Sequence, residues 1–211
     1  MVGNDIVDLH DPDAHPSTLN GRFDERVFCA VERQALESAP ERRWKLWAAK
    51  EAAYKVAVKQ DPATIFSPSR FRVGFEEKEE TGFVTWDSGR LRIHVCVAEG
   101  AIHAIAATNS NQLISGLRRL GSLPPGRSGE ALSEAVRALA AEGLAAALGV
   151  DEGAIEIRKR GRVPELFVDG ARAQVDLSLS HHGEVVGFAC EMIRARSNEI
   201  DEPLSIFEGV T

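Results

Sequence analysis

The sequence predicts an α+β protein built as a pseudo-dimer of two similar units, each a main helix packed on a small antiparallel sheet. Three observations lead there. Residues 42–58 and 130–148 carry the two strongest helical patterns in the chain. Each is followed by several short, strand-like runs bounded by turn residues. Between them stands a run of breakers, Gly121-Ser122-Leu123-Pro124-Pro125-Gly126-Arg127-Ser128-Gly129, which has the composition of a linker. With 211 residues, 44% of them apolar and 27% charged, the chain can bury a sizeable core and lies between one large domain and two small ones.

Taken in order, Asp5 to Leu9 forms a short apolar strand leading into a loop rich in Asp, Pro and His. Cys29 to Leu36 is a short helix with Glu32 three residues after its first position; Cys29 is a poor cap, so a ragged start is expected. Arg42 to Val58 is the main helix of this unit. Strands are expected at Phe71–Phe75, Gly82–Trp86, Leu91–Val97 and Ile102–Ala107, with Asp87-Ser88-Gly89 as a hairpin turn. In the second unit, Glu130 to Leu148 is an Ala- and Leu-rich helix stopped by Gly149. Strands follow at Ala154–Arg158, Leu166–Val168, Val175–Ser180 and Glu184–Glu191. His94–Gly100 laid over Asp176–His182 keeps the same alternation, and both run on into a second apolar strand, a weak internal repeat. The units are accordingly drawn at residues 1–114 and 115–196, with an acidic tail at 197–211.

Composition narrows the function. A net charge of −7 argues against a general nucleic-acid binder. The charge is uneven, however: acidic ends flank basic clusters at Arg22, Arg26 and Arg33, at Arg42, Arg43 and Lys45, and at Arg158-Lys159-Arg160 with Arg162. That distribution suits a polyanionic small ligand or an acidic protein partner. Three widely spaced cysteines, Cys29, Cys96 and Cys190, suggest reduced thiols rather than a disulfide framework. No apolar run is long enough to span a bilayer and the N-terminus lacks a secretory pattern, so the cytoplasm is the expected compartment.

The chemistry-bearing residues fall in three places. Asp5 sits inside an apolar strand, where a carboxylate is costly unless a cation or donors meet it. Glu51 lies on the first main helix among Ala48, Ala49, Ala52 and Ala53, which allow close approach of another backbone. By itself Glu51 has an ordinary reading, an ion pair with Lys55 worth about 0.3–0.5 kcal/mol. Brought together, Asp5 and Glu51 form an oxygen-only site of the kind Mg²⁺ takes, completed by water and substrate phosphate. Lys50 and Lys55 are then placed to meet the remaining phosphate charge. Far downstream, Ser180 and His181 end a strand ahead of a glycine turn. His181 and His182 are adjacent in an extended segment and should face opposite sides, so at most one serves a site. Arg158-Lys159-Arg160-Gly161-Arg162 is a candidate phosphate clamp, or else a sheet edge protected by charge.

Gly3-Asn4-Asp5-Ile6-Val7-Asp8-Leu9, Trp47-Ala48-Ala49-Lys50-Glu51-Ala52-Ala53-Tyr54-Lys55 and Asp176-Leu177-Ser178-Leu179-Ser180-His181-His182-Gly183 together resemble the signature of the 4'-phosphopantetheinyl transferases. The resemblance implies transfer of the pantetheine arm of coenzyme A to a carrier protein. It implies Asp5 and Glu51 as Mg²⁺ ligands, Glu51 also as candidate base, and Lys50 and Lys55 at the phosphates. Arg22, Arg26 and neighbouring Phe23 and Phe28 resemble the carrier-docking stretch of the short, holo-acyl-carrier-protein-synthase type, and with Arg33 they are the expected docking residues for an acidic acyl or peptidyl carrier protein. The second half, through Val136, Arg137 and Gly161–Pro164 to Ser180-His181, resembles the N-terminal half of the longer, surfactin-synthetase-activating type, in which the Ser-His pair contacts coenzyme A. Arg160 and Arg162 both stand as the basic residue near it, since Val163 intervenes before Pro164. The order of the halves is permuted relative to that longer type, and position 7 is Val where it usually carries a further acidic ligand. Two other functions share these residues: a Mg²⁺-dependent phosphodiesterase or nuclease, and a non-catalytic carrier-binding homologue. A chain holding both halves is expected to be able to work as a monomer.

Overall fold

The computed structural model describes residues 1–18, 22–76, 80–86, 89–108, 113–120 and 129–192. The expected linker at 121–128, most of the turn at 87–89 and the acidic tail lie outside the described residues. Within them the first sheet has five antiparallel strands: β1 (Val2–Asp8), β2 (Arg72–Phe75), β3 (Thr81–Trp86), β4 (Gly89–Ala98) and β5 (Ala101–Ala107), in the spatial order β1-β5-β4-β3-β2. Two short helices, α1 (Phe23–Val27) and α2 (Ala30–Ser38), precede the long helix α3 (Arg42–Gln60), which covers the sheet. The poor cap at Cys29 is offset: its backbone N–H donates to the Glu32 carboxylate at 2.9 Å, which holds the start of α2.

The second unit opens with a strand not anticipated from the sequence, β6 (Leu113–Arg119). Helix α4 (Gly129–Leu148) follows, then β7 (Ile155–Arg160), β8 (Val163–Val168), a two-residue β9 (Ala171–Arg172), β10 (Val175–His182) and β11 (Val185–Met192). Strands β10-β11-β6 make one sheet and β7-β8-β9 another. Because β6 pairs with β11 along Arg119↔Val185 to Leu113↔Glu191, the boundary drawn at 114 cuts a strand of the second sheet. The breaker run thus joins β6 to α4 instead of dividing the units. Leu113-Ile114-Ser115-Gly116-Leu117 has weak alternation, and Gly116 is there for packing: a Cβ on it would press within 2.6 Å of the Phe188 ring.

Each unit runs strand, helix, hairpin, hairpin, and in each the first strand lies beside the last (β1-β5 and β6-β11). The repeat needs one correction. The closing pairs are Ala98↔Ala101 and His182↔Val185, so the hairpins superpose with an offset two residues from the sequence alignment. Cys96-Val97, not Ala98-Glu99, corresponds to Ser180-His181. A shift of two leaves the in-out alternation unchanged, which is why periodicity could not detect it. Glu99 and Gly100 occupy the turn itself, at φ 53° and 71°, the left-handed pair that a tight hairpin needs.

The units meet where β10 runs parallel to β1, and side chains rather than backbone groups join them. The N–H groups of Val2, Asn4 and Asp8 donate to Asp176 Oδ2 (2.5 Å), Ser178 Oγ (2.9 Å) and His182 Nδ1 (3.2 Å), with a constant separation of 174 residues. Asn4 Nδ2 donates to the Gly187 carbonyl, and Ile6 packs with Val185. At the far end Arg119 of β6 forks onto the nearly buried Asp8 carboxylate at 2.8 and 3.1 Å. No helix among the described residues is long and apolar enough to cross a membrane.

Burial alone would raise the Asp8 carboxyl. The Arg119 hydrogen bonds and charge, with N–H donors from Glu184 and His10, outweigh it and lower the pKa from 3.8 to about 2. Because the folded value lies below the ordinary one, this bridge stabilises the fold above about pH 4, and its contribution of about 2 kcal/mol is lost as pH falls to about 2. Asp8→Asn should therefore lower stability at pH 7 and flatten the acid limb between pH 4 and 2 in urea titrations. An unchanged acid limb would remove the bridge as the cause.

Candidate active site

The site begins with a close approach of strand to helix. Ala48, Ala49, Ala52 and Ala53 have no exposed surface, and a Cβ at Gly3 would collide with the carbonyl oxygen of Ala52. With Gly3 against α3, alternation along β1 puts Asp5 and Val7 on the same helix-facing side. Val7 is 1% exposed and packs in the core under α3, so no ligand role is open at that position. Asp5 instead meets Lys55: Nζ donates to Asp5 Oδ1 (3.0 Å), to the Asn4 carbonyl (2.7 Å) and to Ser180 Oγ (3.2 Å). Ser180 Oγ donates in turn to Asp5 Oδ1 at 3.1 Å. Residues 50 to 175 positions apart in sequence are thereby brought to one point.

A cleft of about 300 Å³ opens there. Helix α3 forms one wall with Glu51, Tyr54, Lys55, Val58 and Lys59. Ser178, Leu179 and His181 of β10 stand opposite, joined by Lys159, Arg162 and Pro164 from the β7–β8 hairpin. Glu51 is the perturbed group: burial, then the Asp5 charge, raises its carboxyl from 4.5 to about 7, with Lys55 opposing. Burial lowers the His181 imidazole, and the Lys55 and Lys159 charges lower it further, so the ring is kept neutral at neutral pH. His182 points away and accepts from Asp8, so the two histidines do serve opposite faces.

The clamp resolves at the turn that closes the β7–β8 hairpin. Lys159 and Arg162 flank Arg160 and the turn glycine Gly161 (φ 63°) and reach the cleft. Arg160 is on the opposite face, 77% exposed and paired with Glu165 at 3.2 Å, and does not line the cleft. Arg158 stacks on Phe167 and pairs with Glu156, also outside. Of the two arginines expected there, Arg162 lines the cleft and Arg160 does not, and Lys159 lines it as well.

Lys50 is the larger correction. Its ammonium is fully buried, held by both Glu32 oxygens at 2.7 and 2.9 Å and by the Phe71 and Pro68 carbonyls. Burial lowers its pKa, with Glu32 opposing. Residues 50 and 51 are adjacent on a helix and diverge by about 100° of rotation, so only one of them can face the cleft. Lys50 ties α3 to α2 and the start of β2, where Glu32 also accepts from the Val73 N–H at 2.8 Å. Of the expected docking arginines, Arg22 and Arg26 are exposed around α1, while Arg33 donates to the Phe28 carbonyl at 2.9 Å and braces the α1–α2 corner. None of the three lines the cleft.

Sequence reading passed over Tyr54, Lys59 and Asp176. Glu51, Lys55 and Lys59 recur every four residues on one helical face, a signal for Lys59 present in the sequence. Asp176 carried none, because its partner is 117 positions away.

The geometry is thus a carboxylate pair and a lysine facing a Ser-His strand end and a basic hairpin. A family model for the 4'-phosphopantetheinyl transferase superfamily matches residues 1–108, just over half of the 211-residue chain. The chain belongs to this superfamily. Its members are transferases, and the matched part contains Asp5, Glu51 and Lys55 but not the Ser180 strand or the basic hairpin. No curated protein and no solved structure matches the chain.

Two expectations follow. Lys50→Met should leave the Glu32 carboxylate buried and unpaired and cost about 3–5 kcal/mol in denaturation, while Lys50→Met with Glu32→Gln should regain much of it. Equal stability of single and double variants would refute the pairing. For Glu51, a folded pKa above the ordinary value favours the protonated form. The fold therefore loses stability as pH rises from about 4.5 through about 7. In chelator, Glu51→Gln should raise the melting temperature at pH 8 and leave it unchanged at pH 4.

Proposed function

We propose that this superfamily member transfers 4'-phosphopantetheine from coenzyme A to a serine hydroxyl of an apo carrier protein and releases adenosine 3',5'-bisphosphate. The observation that carries this reading is one cleft lined by Glu51, Lys55, His181, Lys159 and Arg162, with Asp5 held beside it by Lys55. Cations on two walls suit a ligand with several phosphates, and the carboxylates between them suit a hard divalent cation.

The donor set fits Mg²⁺. Burial first, and then the Asp5 charge, raise the Glu51 carboxyl to about 7, so the two carboxylates are close enough to interact and to share one ion. Among the described residues there is no group of three or more His, Cys, Asp or Glu able to hold a metal, so water and pyrophosphate oxygens would complete the shell of Asp5 and Glu51. When bound, the ion supplies Lewis-acid polarisation of the pyrophosphate and charge neutralisation of the leaving bisphosphate. Lys55, already bridging Asp5 and Ser180, orients the phosphates from the helix side. Lys159 and Arg162 hold the far end of the ligand, with His181 as a neutral hydrogen-bonding group beside them. The carrier serine oxygen forms a bond to the phosphorus bearing the pantetheine arm, and the bond from that phosphorus to the bridging oxygen breaks. The serine proton passes to Glu51, directly or through water, and the bridging oxygen leaves with the adenosine bisphosphate. Positioning supplies most of the rate in such transfers.

The two units are read as a pseudo-dimer that shares this one cleft. Cys96 and Val97 stand where the second unit has Ser180 and His181, and α4 carries no Lys-Glu pair comparable to Lys50-Glu51. An acidic carrier would dock over Arg22 and Arg26 beside α3, and a partner of either fatty-acid, polyketide or peptide assembly satisfies that chemistry. Incubating purified protein, Mg²⁺, coenzyme A and an apo carrier should add the mass of one phosphopantetheine to the carrier. Asp5→Ala or excess chelator should reduce the rate by about 10²-fold or more, and calorimetry should find one coenzyme A per chain. No mass gain with any apo carrier would reject the reading; coenzyme A hydrolysis without transfer would favour a phosphodiesterase instead.

A further inference from the structure

Lys59 lies in the cleft wall and nothing in the transfer scheme uses it. Its side chain is 8% exposed and its ammonium donates to three acceptors: the Val2 carbonyl (2.7 Å), Asp176 Oδ1 (2.8 Å) and the Leu177 carbonyl (2.8 Å). Its three N–H donors are all committed, as are those of Lys55, but Lys55 keeps 30% of its side chain exposed, so Lys59 is the lysine closed to a ligand. Asp176 is engaged in the same way, with Oδ1 on Lys59 and Oδ2 on the Val2 N–H. One carboxylate and one ammonium therefore connect α3, β1 and β10 at a single point.

That point sets the register of the site. Lys59 is one turn beyond Lys55 on α3, and Asp176 is four residues before Ser180 on β10. Lys55 and Lys59 take β1 carbonyls two residues apart, Asn4 and Val2, and each also reaches a β10 group, Ser180 or Asp176. Between β1 and β10 no backbone ladder exists to fix the register; Asp176, Ser178 and His182 do so through side chains alone. Slippage by one alternation would carry Ser180 and His181 about 7 Å along the strand.

We propose that Lys59 and Asp176 are a positioning pair that holds Ser180 and His181 against Asp5 and Glu51, with Lys59 acting on the strand and not on the ligand. This rests on the transferase reading of the cleft. A direct phosphate contact by Lys59 would require a side chain only 8% exposed to leave Asp176 and two carbonyls, whereas Lys55 is 30% exposed.

The test is a double-mutant cycle on the full-length chain with Lys59→Met, Asp176→Asn and the pair together. Coenzyme A and carrier kinetics would be measured at least ten degrees below each melting temperature. Each single variant should lower kcat/KM for coenzyme A by ~10–100-fold, the scale of a site displaced by about 1 Å. The pair should be no worse than either single, because both remove one interaction. KM for the carrier should hold. If Lys59→Met raises KM for coenzyme A while Asp176→Asn leaves it unchanged, Lys59 is a ligand contact and the proposal fails. Kinetics unaltered in both singles, with only melting lowered, would reduce the pair to a stability element and also overturn it. The neutral pair lacks an unpaired buried charge, so it keeps the comparison available should a single variant not fold. Amide exchange supplies a readout besides activity: Asp176→Asn should speed exchange at residues 178–182 specifically. Slow exchange there would sink the positioning role, whereas a wild-type protein that transfers nothing would count against the transferase reading alone.

Discussion

The structure depends on a seam between two parallel strands that never form a sheet. β1 is already paired on one side with β5, and its other edge offers N–H groups at Val2, Asn4 and Asp8. An open strand edge buried against protein is costly unless its groups are met. β10 meets them with Asp176, Ser178 and His182 on one face, and Ser180 between them turns to Lys55 and Asp5. Side chains reach farther than a backbone ladder, so the strands stand apart and leave a gap. Lys55 and Lys59 enter that gap from α3, and the cleft opens beside them against β10 and the β7–β8 hairpin.

The consequence is a division of labour among lysines of one helix. Lys50 faces away from the seam and is spent on Glu32, fixing α3 to α2 and β2. Lys59 is spent on Asp176. Lys55, between them, keeps 30% of its side chain exposed and contacts both Asp5 and Ser180. The two buried lysines stand on either side of the one that faces open volume. Glu51 follows the same logic in reverse: it is largely desolvated, carries no hydrogen bond to a cation, and its proton affinity rises to about 7 beside Asp5. A group poised there can gain or lose a proton near neutral pH, which is what acid–base work requires.

Polar burial elsewhere serves the seam as well. Asn4 and His103 are nearly or fully buried where the units meet, and burial lowers the His103 imidazole to about 4. The ring is therefore neutral and its Nε2 stands 3.1 Å from Asn4 Nδ2. At the far end of the seam Asp8 and Arg119 form a charged clasp between the first strand of each unit. Apolar contact at Ile6, Val185 and Leu117 fills the space between these polar ties. Packing sets the distance between units, and the polar groups set their register.

Much of this was determined by the sequence alone. The periodicity of residues 42–58 and 130–148, the short alternating runs after each, and the glycine turns specify most helices and strands because those signals are local, though not α1, β6 or β9. Asp5, Glu51 and Lys55 were legible from motif and pattern, and the opposite orientation of His181 and His182 followed from strand geometry. What only the tertiary structure decided is which cation faces what. Lys50 and Lys55 look alike in the sequence, as do Arg160 and Arg162, yet helical rotation and the chain reversal at Gly161 send one of each pair to the cleft and the other elsewhere. β6 stayed hidden because a glycine needed under Phe188 breaks its alternation. Asp176 stayed hidden because its role exists only when β10 lies along β1, and the charge that gives it meaning is 117 residues away. Contacts of that separation are set by how whole units dock, which no local pattern encodes.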